Sequence, residues 1–451
     1  MSDASPLTFP CEEALAPRLE QRILPGLERM QEALAALDHP ERAFPSVLVL
    51  GTNGKGSTAA LLASILARHR VRVGRYTSPH LVRVEERIEV GEEEISQGRL
   101  LSLISELARF PRLSYFETLT VAAFLHFAEA RVDLAVLEAG LGGRWDATNA
   151  GEPSVSLLTN IGTDHQSWLG ATRAAIASEK AAALRGREAI VGAWDDEVAP
   201  VIRAAADPVT PLTLASEWAS VGAVSGQRPV VSPPTHSAAE ERRSDHKPLT
   251  TDHAFPVVTF EVAGLHGSAT LPLLGDYQTA NLTLALAGAA ALAKHGLAPA
   301  LRAGAIAAGI EATRWPGRLQ WIEWQGRRLL LDGAHNREAV DALAVALDQL
   351  GLSGRVNLLF SCLADKPLAA MIATLRPRVK TVFVAALDSP RATPIGELAA
   401  ALPGCRIFAG VAAALEHLPQ DAPTLVTGSL RLVGEVIRLI DPGKGGHGGI
   451  A

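Results

Sequence analysis

At 451 residues the chain is longer than one ordinary core can serve, so two or three domains are expected. Hydrophobic residues make up 48% and charged residues 20%, the balance of a soluble globular protein rather than a disordered or membrane-spanning one. A formal net charge of −6 argues against a broad electrostatic grip on nucleic acid. Cys11, Cys362 and Cys405 stand far apart in no metal or redox spacing. The start, Met1-Ser-Asp-Ala-Ser-Pro, lacks the basic and apolar stretches of a signal peptide, and the longest apolar run, residues 282–293, is too short to cross a bilayer. A cytoplasmic enzyme with neither membrane nor nucleic acid as partner is the expectation.

The first periodic positions, Leu24, Leu27, Met30, Leu34 and Leu37, predict an N-terminal helix that stops before Pro40 and Pro45. Residues 47–50, Val-Leu-Val-Leu, read as a buried parallel strand. It runs into Gly51-Thr-Asn-Gly-Lys-Gly-Ser57 and an Ala/Leu-rich helix over residues 58–67. In that order, strand, glycine loop, lysine, hydroxyl and helix form a phosphate cradle. Backbone N–H groups and the helix N-terminus face the anion, Lys55 adds a point charge, and the Ser57 hydroxyl can hold Mg²⁺. The spacing departs from the common G-x-x-x-x-G-K-[ST] loop, with two residues fewer before the Gly-Lys pair and an extra Gly56 after Lys55.

Residues 71–74 are a second short strand leading into Tyr76-Thr-Ser-Pro-His-Leu81, with Ser78 at a strand end, a common place for ligand groups in open α/β sheets. Residues 119–130 form an apolar helix whose His126 reads as packing. Residues 132–137 are an apolar strand ending in Glu138, the position a phosphate-loop enzyme uses for a carboxylate that orients magnesium. The next strand, 155–158, meets Thr159-Asn-Ile-Gly-Thr-Asp-His165, which puts Asp164 and His165 near Glu138 if the strands are neighbours. A helix over 174–184 carries Glu179 and Lys180, and a strand at 189–192 follows. Alternating strands and helices predict a parallel, doubly wound α/β sheet.

From about residue 220 to 254 the pattern fails, and this polar, proline-containing stretch reads as a mobile surface insertion. Residues 257–262 and 268–272 resemble a small antiparallel pair, and Gly275-Asp-Tyr-Gln-Thr-Ala-Asn281 opens a long Ala/Leu helix. A boundary falls near Glu311, dividing an α/β domain over 1–311 from a second, Rossmann-like α/β domain over 312–440. The second has strands at 329–332, 356–361, 381–386, 406–409 and 424–428. No G-x-G-x-x-G follows its first strand, which argues against a dinucleotide. That strand instead meets Asp332-Gly-Ala-His-Asn336. Residues 441–451 read as a disordered tail.

These segments are joined by Phe116-Glu-Thr-Leu119, Leu137-Glu-Ala-Gly-Leu-Gly-Gly-Arg-Trp-Asp-Ala-Thr-Asn149, Glu179-Lys-Ala181, Trp315-Pro-Gly-Arg318, Asp365-Lys366 and Thr427-Gly-Ser429. The ordered set, from about residue 24 to 440, resembles the folylpolyglutamate synthase family. That family is often bifunctional as dihydrofolate synthase and sits among the Mur-ligase-like ATP-dependent amide ligases. The resemblance implies a phosphate-loop domain like the Mur-ligase central domain, a Rossmann-like C-terminal domain, and a monomer. It also implies condensation of L-glutamate with the carboxylate of a reduced folate or dihydropteroate, driven by ATP through an acyl phosphate.

By the same resemblance, Gly54, Lys55, Gly56 and Ser57 hold the ATP phosphates. Ser57, Ser78 and Glu138 share one Mg²⁺, and His165 helps hold a second. Lys180 matches a lysine that the family carbamylates, turning a cation into an anionic metal ligand, and a monovalent cation is also allowed. Asn281, Arg318, Asp332 and His335 close over the nucleotide, with Arg318 and Lys55 countering developing phosphate charge. Ser114, Tyr115, Phe116, Glu117 and Trp145 fall where the family places the pterin. Some residues depart from the pattern. Leu24-Pro-Gly-Leu-Glu-Arg29 matches only loosely, Ala139 stands where valine is usual, and the insertion at 220–254 is longer than typical. The choice between dihydropteroate and tetrahydrofolate stays open on this basis. A muramyl–amino acid ligase, which shares the loop and the chemistry, is the nearest alternative. A phosphate-loop ATPase acting on a protein partner and a catalytically dead nucleotide-binding module lie further off.

Overall fold

The computed structural model describes residues 10–19, 25–223 and 255–441, arranged around three sheets. The first contains β1 (Ser46–Leu50), β2 (Val73–Tyr76), β3 (Ile88–Val90), β4 (Glu93–Glu94), β5 (Leu134–Glu138), β6 (Val155–Leu158), β7 (Glu188–Val191) and β8 (Leu212–Leu214). Their order is β4-β3-β2-β5-β1-β6-β7-β8, parallel except for β3 and β4 at one edge. Strand β1 is buried on both faces. Val47 and Val49 join one core with Val136 and Leu157, while Leu48 and Leu50 join the other with Leu137 and Leu158. A central parallel strand covered on both sides has to be an unbroken apolar run, which is why residues 47–50 are legible in the sequence.

One of the two covers is built from the helices Lys55–Arg68, Tyr277–Lys294 and Ala303–Ala312. Small residues let them close on the sheet and on each other. A Cβ on Gly288 would stand 2.8 Å from Leu157, and one on Gly309 would stand 2.5 Å from the Ile65 backbone. The second sheet, β9 (Ala219–Ala223), β10 (Val257–Val262) and β11 (Leu265–Thr270), is antiparallel in the order β11-β10-β9 and packs against the last two of these helices. The expected small pair is therefore three-stranded. Residues 220–223, read from sequence as the start of the insertion, are strand. Ser220 and Gly222 carry no apolar alternation, so only pairing with β10 reveals them. Residues 224–254, the rest of that insertion, lie outside the described residues, as do Leu24 and the tail from 442.

The third sheet contains β12 (Gln320–Trp324), β13 (Arg327–Leu331), β14 (Val356–Phe360), β15 (Val379–Ala385), β16 (Arg406–Phe408) and β17 (Thr424–Thr427), in the order β12-β13-β17-β14-β15-β16. All pairings are parallel except β12–β13. Strand β12 was not among the expected strands, and it returns to β13 through Gln325 and Gly326, both at positive φ. At the other end of the chain a helix at Pro10–Leu19 precedes the one at Glu28–Ala36, which carries Met30 and Leu34 into the core. Leu81 and Val82, on the loop after β2, pack into the core of the third sheet. Among the described residues no helix is long and apolar enough to cross a membrane.

Glycine-to-alanine exchange in an exposed helix gains up to about 1 kcal/mol. Gly309→Ala is expected to reverse that sign and cost about 1–3 kcal/mol, because the clash is with backbone. Chemical or thermal melting checks it, and a stabilised variant would contradict the close helix contact.

Candidate active site

The phosphate loop leaves the carboxyl end of β1 and enters the helix Lys55–Arg68 through Gly51 (φ 137°) and Gly54 (φ 84°). Both dihedrals are unfavourable for a side chain. The surroundings leave no space for one either. A Cβ on Gly51 would strike the Thr159 hydroxyl, one on Gly54 the Asn281 amide, and one on Gly56 the Trp315 indole. The extra glycine that distorts the usual spacing is thus the seat of a tryptophan from the connection to the third sheet. Beside it, the strand end after β6 braces the loop. Thr52 N–H donates to the Asn160 carbonyl (3.0 Å), Asn53 N–H to Asn160 Oδ1 (3.1 Å), and the Thr159 hydroxyl to the Asn53 carbonyl (2.7 Å).

Two lysines converge on one carbonyl oxygen of this loop. Lys55 Nζ donates to the carbonyls of Gly51 (3.2 Å) and Thr52 (3.1 Å), and Lys180 Nζ donates to the same Gly51 carbonyl at 2.8 Å. Burial, with Lys55 alongside, lowers the Lys180 ammonium from its ordinary 10.5 to about 7. Its helix, Arg173–Ala181, is held by the segment after β5. Gly143 lies so close that a Cβ there would stand 2.6 Å from the Lys180 carbonyl oxygen, and Arg144 N–H donates to the Glu179 carbonyl (3.1 Å). The buried Asp146 organises that segment, accepting from Leu141 N–H (2.7 Å), Thr148 N–H (3.0 Å) and the Thr148 hydroxyl (2.5 Å). Burial raises its pKa above the usual carboxylate range despite these bonds.

Glu138 sits at the end of β5, next to β1, and Ser57 is buried at the start of the loop helix. Burial pushes the Glu138 carboxyl upward against the pull of Lys55, and its Oε2 accepts from the Ser78 N–H at 3.1 Å. A raised carboxyl in a buried pocket is a group short of a cation. Among the described residues no cluster of three or more His, Cys, Asp or Glu could hold a metal alone. A hard cation fits here only where hydroxyls and phosphate oxygens complete the shell around Glu138, as magnesium at nucleotide sites requires. His165 adopts a left-handed conformation (φ 55°) and its N–H donates to Asp164 Oδ1 at 2.8 Å. Burial lowers its imidazole to about 4; Asp164 opposes that shift, while Lys366, Lys55 and Lys180 reinforce it.

The third sheet faces this loop. Asp332, at the end of β13, accepts from Leu319 N–H (3.0 Å) and Ala334 N–H (2.9 Å), and burial raises its carboxyl although Arg318 stands beside it. His335 Nδ1 bonds the Gly333 carbonyl at 2.7 Å, and burial, then Lys366, lowers its imidazole to about 4. Arg318 donates to the Gly317 carbonyl (3.0 Å). Asn281 donates to Gln278 Oε1 (2.8 Å) and lies over Gly54. The structure thus gathers Gly54, Lys55, Gly56, Glu138, Lys180, Asn281, Arg318, Asp332 and His335 around one cleft between the sheets.

The expected substrate residues fall into two groups. Ser114 and Glu117 cap the helix Tyr115–Glu129 reciprocally, and Glu117 also pairs with Arg29 at 2.8 Å, so their side chains are engaged in structure. Phe116 packs on Tyr76 and under Gly140, Tyr115 lies beneath the Arg87 guanidinium at 5.3 Å, and Trp145 is half exposed. Sequence reading overlooked Asn53, Asn336 and Lys366 as site residues. Asn336 Nδ2 donates to Asn53 Oδ1 (3.0 Å) and to Asp164 Oδ2 (3.1 Å), and Lys366 Nζ to Asp164 Oδ1 (2.9 Å). Their only sequence signal was membership of the quoted motifs, because the partners are hundreds of residues apart.

A cleft of this make, with a phosphate loop on one α/β sheet and capping groups on another, defines a nucleotide-dependent ligase of the Mur type. The Mur ligase middle domain matches residues 49–289, and the Mur ligase, glutamate ligase domain matches residues 317–430. The dihydrofolate synthase/folylpolyglutamate synthase of Bacillus subtilis is 32% identical over 83% of this chain and 84% of that protein. Escherichia coli FolC in complex with DHPP and ADP superposes with a TM-score of 0.77 at 29% identity, covering 98% of this chain and 99% of that one. The Yersinia pestis bifunctional folylpolyglutamate synthase/dihydrofolate synthase with Mn, AMPPNP and L-glutamate bound gives 0.76 at 29% identity, covering 96% and 98%. The chain belongs to the dihydrofolate synthase/folylpolyglutamate synthase family of Mur ligases.

With the Lys180 pKa lowered in the folded state, the unfolded chain binds one more proton than the folded one between pH about 7 and 10.5, so stability rises with pH across that window. Lys180→Met is expected to flatten this rise, melting higher than the wild type near neutrality and converging with it above the window. Melting in bicarbonate-free buffer checks it, and parallel pH profiles for the two proteins would contradict the buried, weakly basic lysine.

Proposed function

We propose that this protein joins L-glutamate to the carboxylate of dihydropteroate and of reduced folates at the expense of ATP, acting as both dihydrofolate synthase and folylpolyglutamate synthase. The observation that carries the reading is the convergence of Lys55 and Lys180 on the Gly51 carbonyl, beside the buried Glu138 and across from Arg318 and Asp332. A phosphate loop alone would serve any nucleotide hydrolase. A second, weakly basic lysine and an arginine from an opposing domain suit a carboxylate that must first be phosphorylated and then attacked. The names of the relatives favour a pterin substrate over a muramyl one.

A carboxylate resists amines because its charge repels the nucleophile and oxide is a poor leaving group. Transfer of the γ-phosphoryl group to a carboxylate oxygen yields ADP and an acyl phosphate. The glutamate amine then attacks the acyl carbon, loses a proton, and phosphate departs. The chain supplies position and charge. The N–H groups of residues 54–57 hold the phosphates, and Lys55 and Arg318 meet the charge that develops on the transferred group. Ser57, Ser78 and Glu138 would hold Mg²⁺, which neutralises phosphate charge. Asn281, Asp332 and His335 face the nucleotide from the other side. Tyr115, Phe116 and Trp145 offer aromatic surface to the pterin, while Ser114 and Glu117 fix the start of the helix that carries the first two.

A pKa near 7 leaves much of Lys180 unprotonated at neutral pH, which is what reaction with CO₂ needs. Its Nζ would form an N–C bond with CO₂ and release a proton, becoming a carbamate that with His165 would hold a second cation. A monomeric, cytoplasmic enzyme completes this reading, and the three free thiols suit that compartment.

Phosphate release with ATP, Mg²⁺ and L-glutamate is expected to rise with either dihydropteroate or tetrahydrofolate, each yielding a product one glutamate heavier by mass. No stimulation by either pterin sinks the assignment. Lys180→Ala is expected to lose roughly 10²-fold or more in kcat, with partial recovery on adding short carboxylates such as propionate. Wild-type rates in that variant would remove the carbamate.

A further inference from the structure

The loop that ends in His165 is held by the third-sheet domain as well as by its own. Glu338 lies in the first turn of the helix Arg337–Gln349, whose N-cap Asn336 already bonds Asn53. Its Oε1 accepts from both the Thr163 N–H (2.7 Å) and the Thr163 hydroxyl (2.6 Å). On the far side of the same segment, Gly162 N–H donates to the Thr52 hydroxyl of the phosphate loop at 2.9 Å. Gly162 is clamped between the two. A Cβ there would stand 3.1 Å from the Glu338 carboxyl carbon and 3.2 Å from Thr52 Cγ2. The second carboxylate oxygen of Glu338 is buried without a partner, so the side chain has given up solvent for this contact. Next along the chain, Asp164, which receives the His165 N–H, is bonded by Lys366 and Asn336, both from the third-sheet domain.

We propose that Glu338 is a positioning residue that straps the Gly162–His165 segment against the phosphate loop and thereby sets the affinity for the second divalent cation, the one His165 would hold. The His165 carbonyl accepts from the Trp168 and Leu169 N–H groups of the short helix that follows, so His165 is anchored on its C-terminal side, and the cation affinity follows because the approach to it, Thr163 and Asp164, is fixed from the other domain. His165 is a left-handed residue at the end of a segment whose charged and hydroxyl contacts lead to the other domain or to Thr52. Groups that orient a metal ligand without touching the metal typically change affinity by about 10- to 100-fold when removed. A carboxylate in the first turn of a helix is also favoured by the aligned peptide dipoles, so the strap is stable where it stands. The segment is thereby made right only when the two domains are together, which ties completion of the cation site to closure of the cleft.

The inference rests on the ligase reading, but its test needs neither pterin nor glutamate. Mn²⁺ is titrated into the full chain with AMPPNP present, and free ion is counted by electron paramagnetic resonance. The wild type is expected to hold two ions. Glu338→Ala is expected to weaken the second by about tenfold while the first and the nucleotide stay within about twofold. Glu338→Gln, which keeps the accepting oxygen, is expected to restore most of the loss. Thr163→Val, approached from the other side, should weaken the same ion, and the double variant should be no worse than Glu338→Ala, because both remove one contact. Melting temperatures establish that each variant folds. Unchanged second-ion binding in folded Glu338→Ala and Thr163→Val overturns the proposal, as do equal weakening of both ions, additive losses, or a single ion in the wild type. Failure of the ligase reading is a different result, the absence of pterin- and glutamate-dependent phosphate release.

Discussion

Two ammonium groups on one carbonyl oxygen are the constraint around which this site is built. Lys55 and Lys180 both donate to Gly51, Lys180 buried and Lys55 partly so. Two like charges that share one acceptor repel, and the more so where water is partly excluded. The fold relieves this by lowering the basicity of Lys180 to about 7 and by standing Glu138 nearby. Neither device neutralises the loop completely, so an incoming polyphosphate or a carbamate on Lys180 lowers the energy of the site as well as occupying it. The affinity for anions is therefore a property of the resting arrangement.

Close packing holds that arrangement in place. The phosphate loop is walled by Thr159, Asn281 and Trp315, each standing where a glycine has no side chain. The Lys180 helix is walled by the loop at Gly143. These contacts exchange conformational freedom for position. A loop with side chains could not approach its neighbours so nearly, and a looser one would let the lysines drift apart. The third sheet adds the other wall, through Asn336, Lys366 and Glu338 on one side and the apolar pair Leu81 and Val82 on the other. The polar contacts include a largely buried Asp164–Lys366 ion pair, so both sides of this wall resist separation.

Legibility in the sequence followed burial and locality. Strand β1, strand β5 with its terminal Glu138 and the Ala/Leu helices were readable because both faces of a central parallel sheet demand apolar runs. Strands β9 and β12 were not, since the first carries glycine and serine without alternation and the second hides in a short hairpin. Ser114 and Glu117 illustrate the same limit at the level of chemistry. Their spacing suits a binding motif and a helix cap equally, and hydrogen-bond geometry places both side chains in the cap.

The sequence by itself determined the phosphate loop, the acid at the neighbouring strand end, the alternating α/β pattern of both halves and the family they belong to. These are properties of contiguous residues whose spacing is imposed by strands, turns and helix starts. Only the tertiary structure decided that Gly56 is required by Trp315, that Lys180 shares the carbonyl used by Lys55, and that Thr163 and Asp164, just before His165, are bonded by Glu338 and Lys366 of the other domain. Each of those facts joins residues far apart in the chain, and its energy comes from burial and proximity, which no stretch of sequence contains until the sheets have packed.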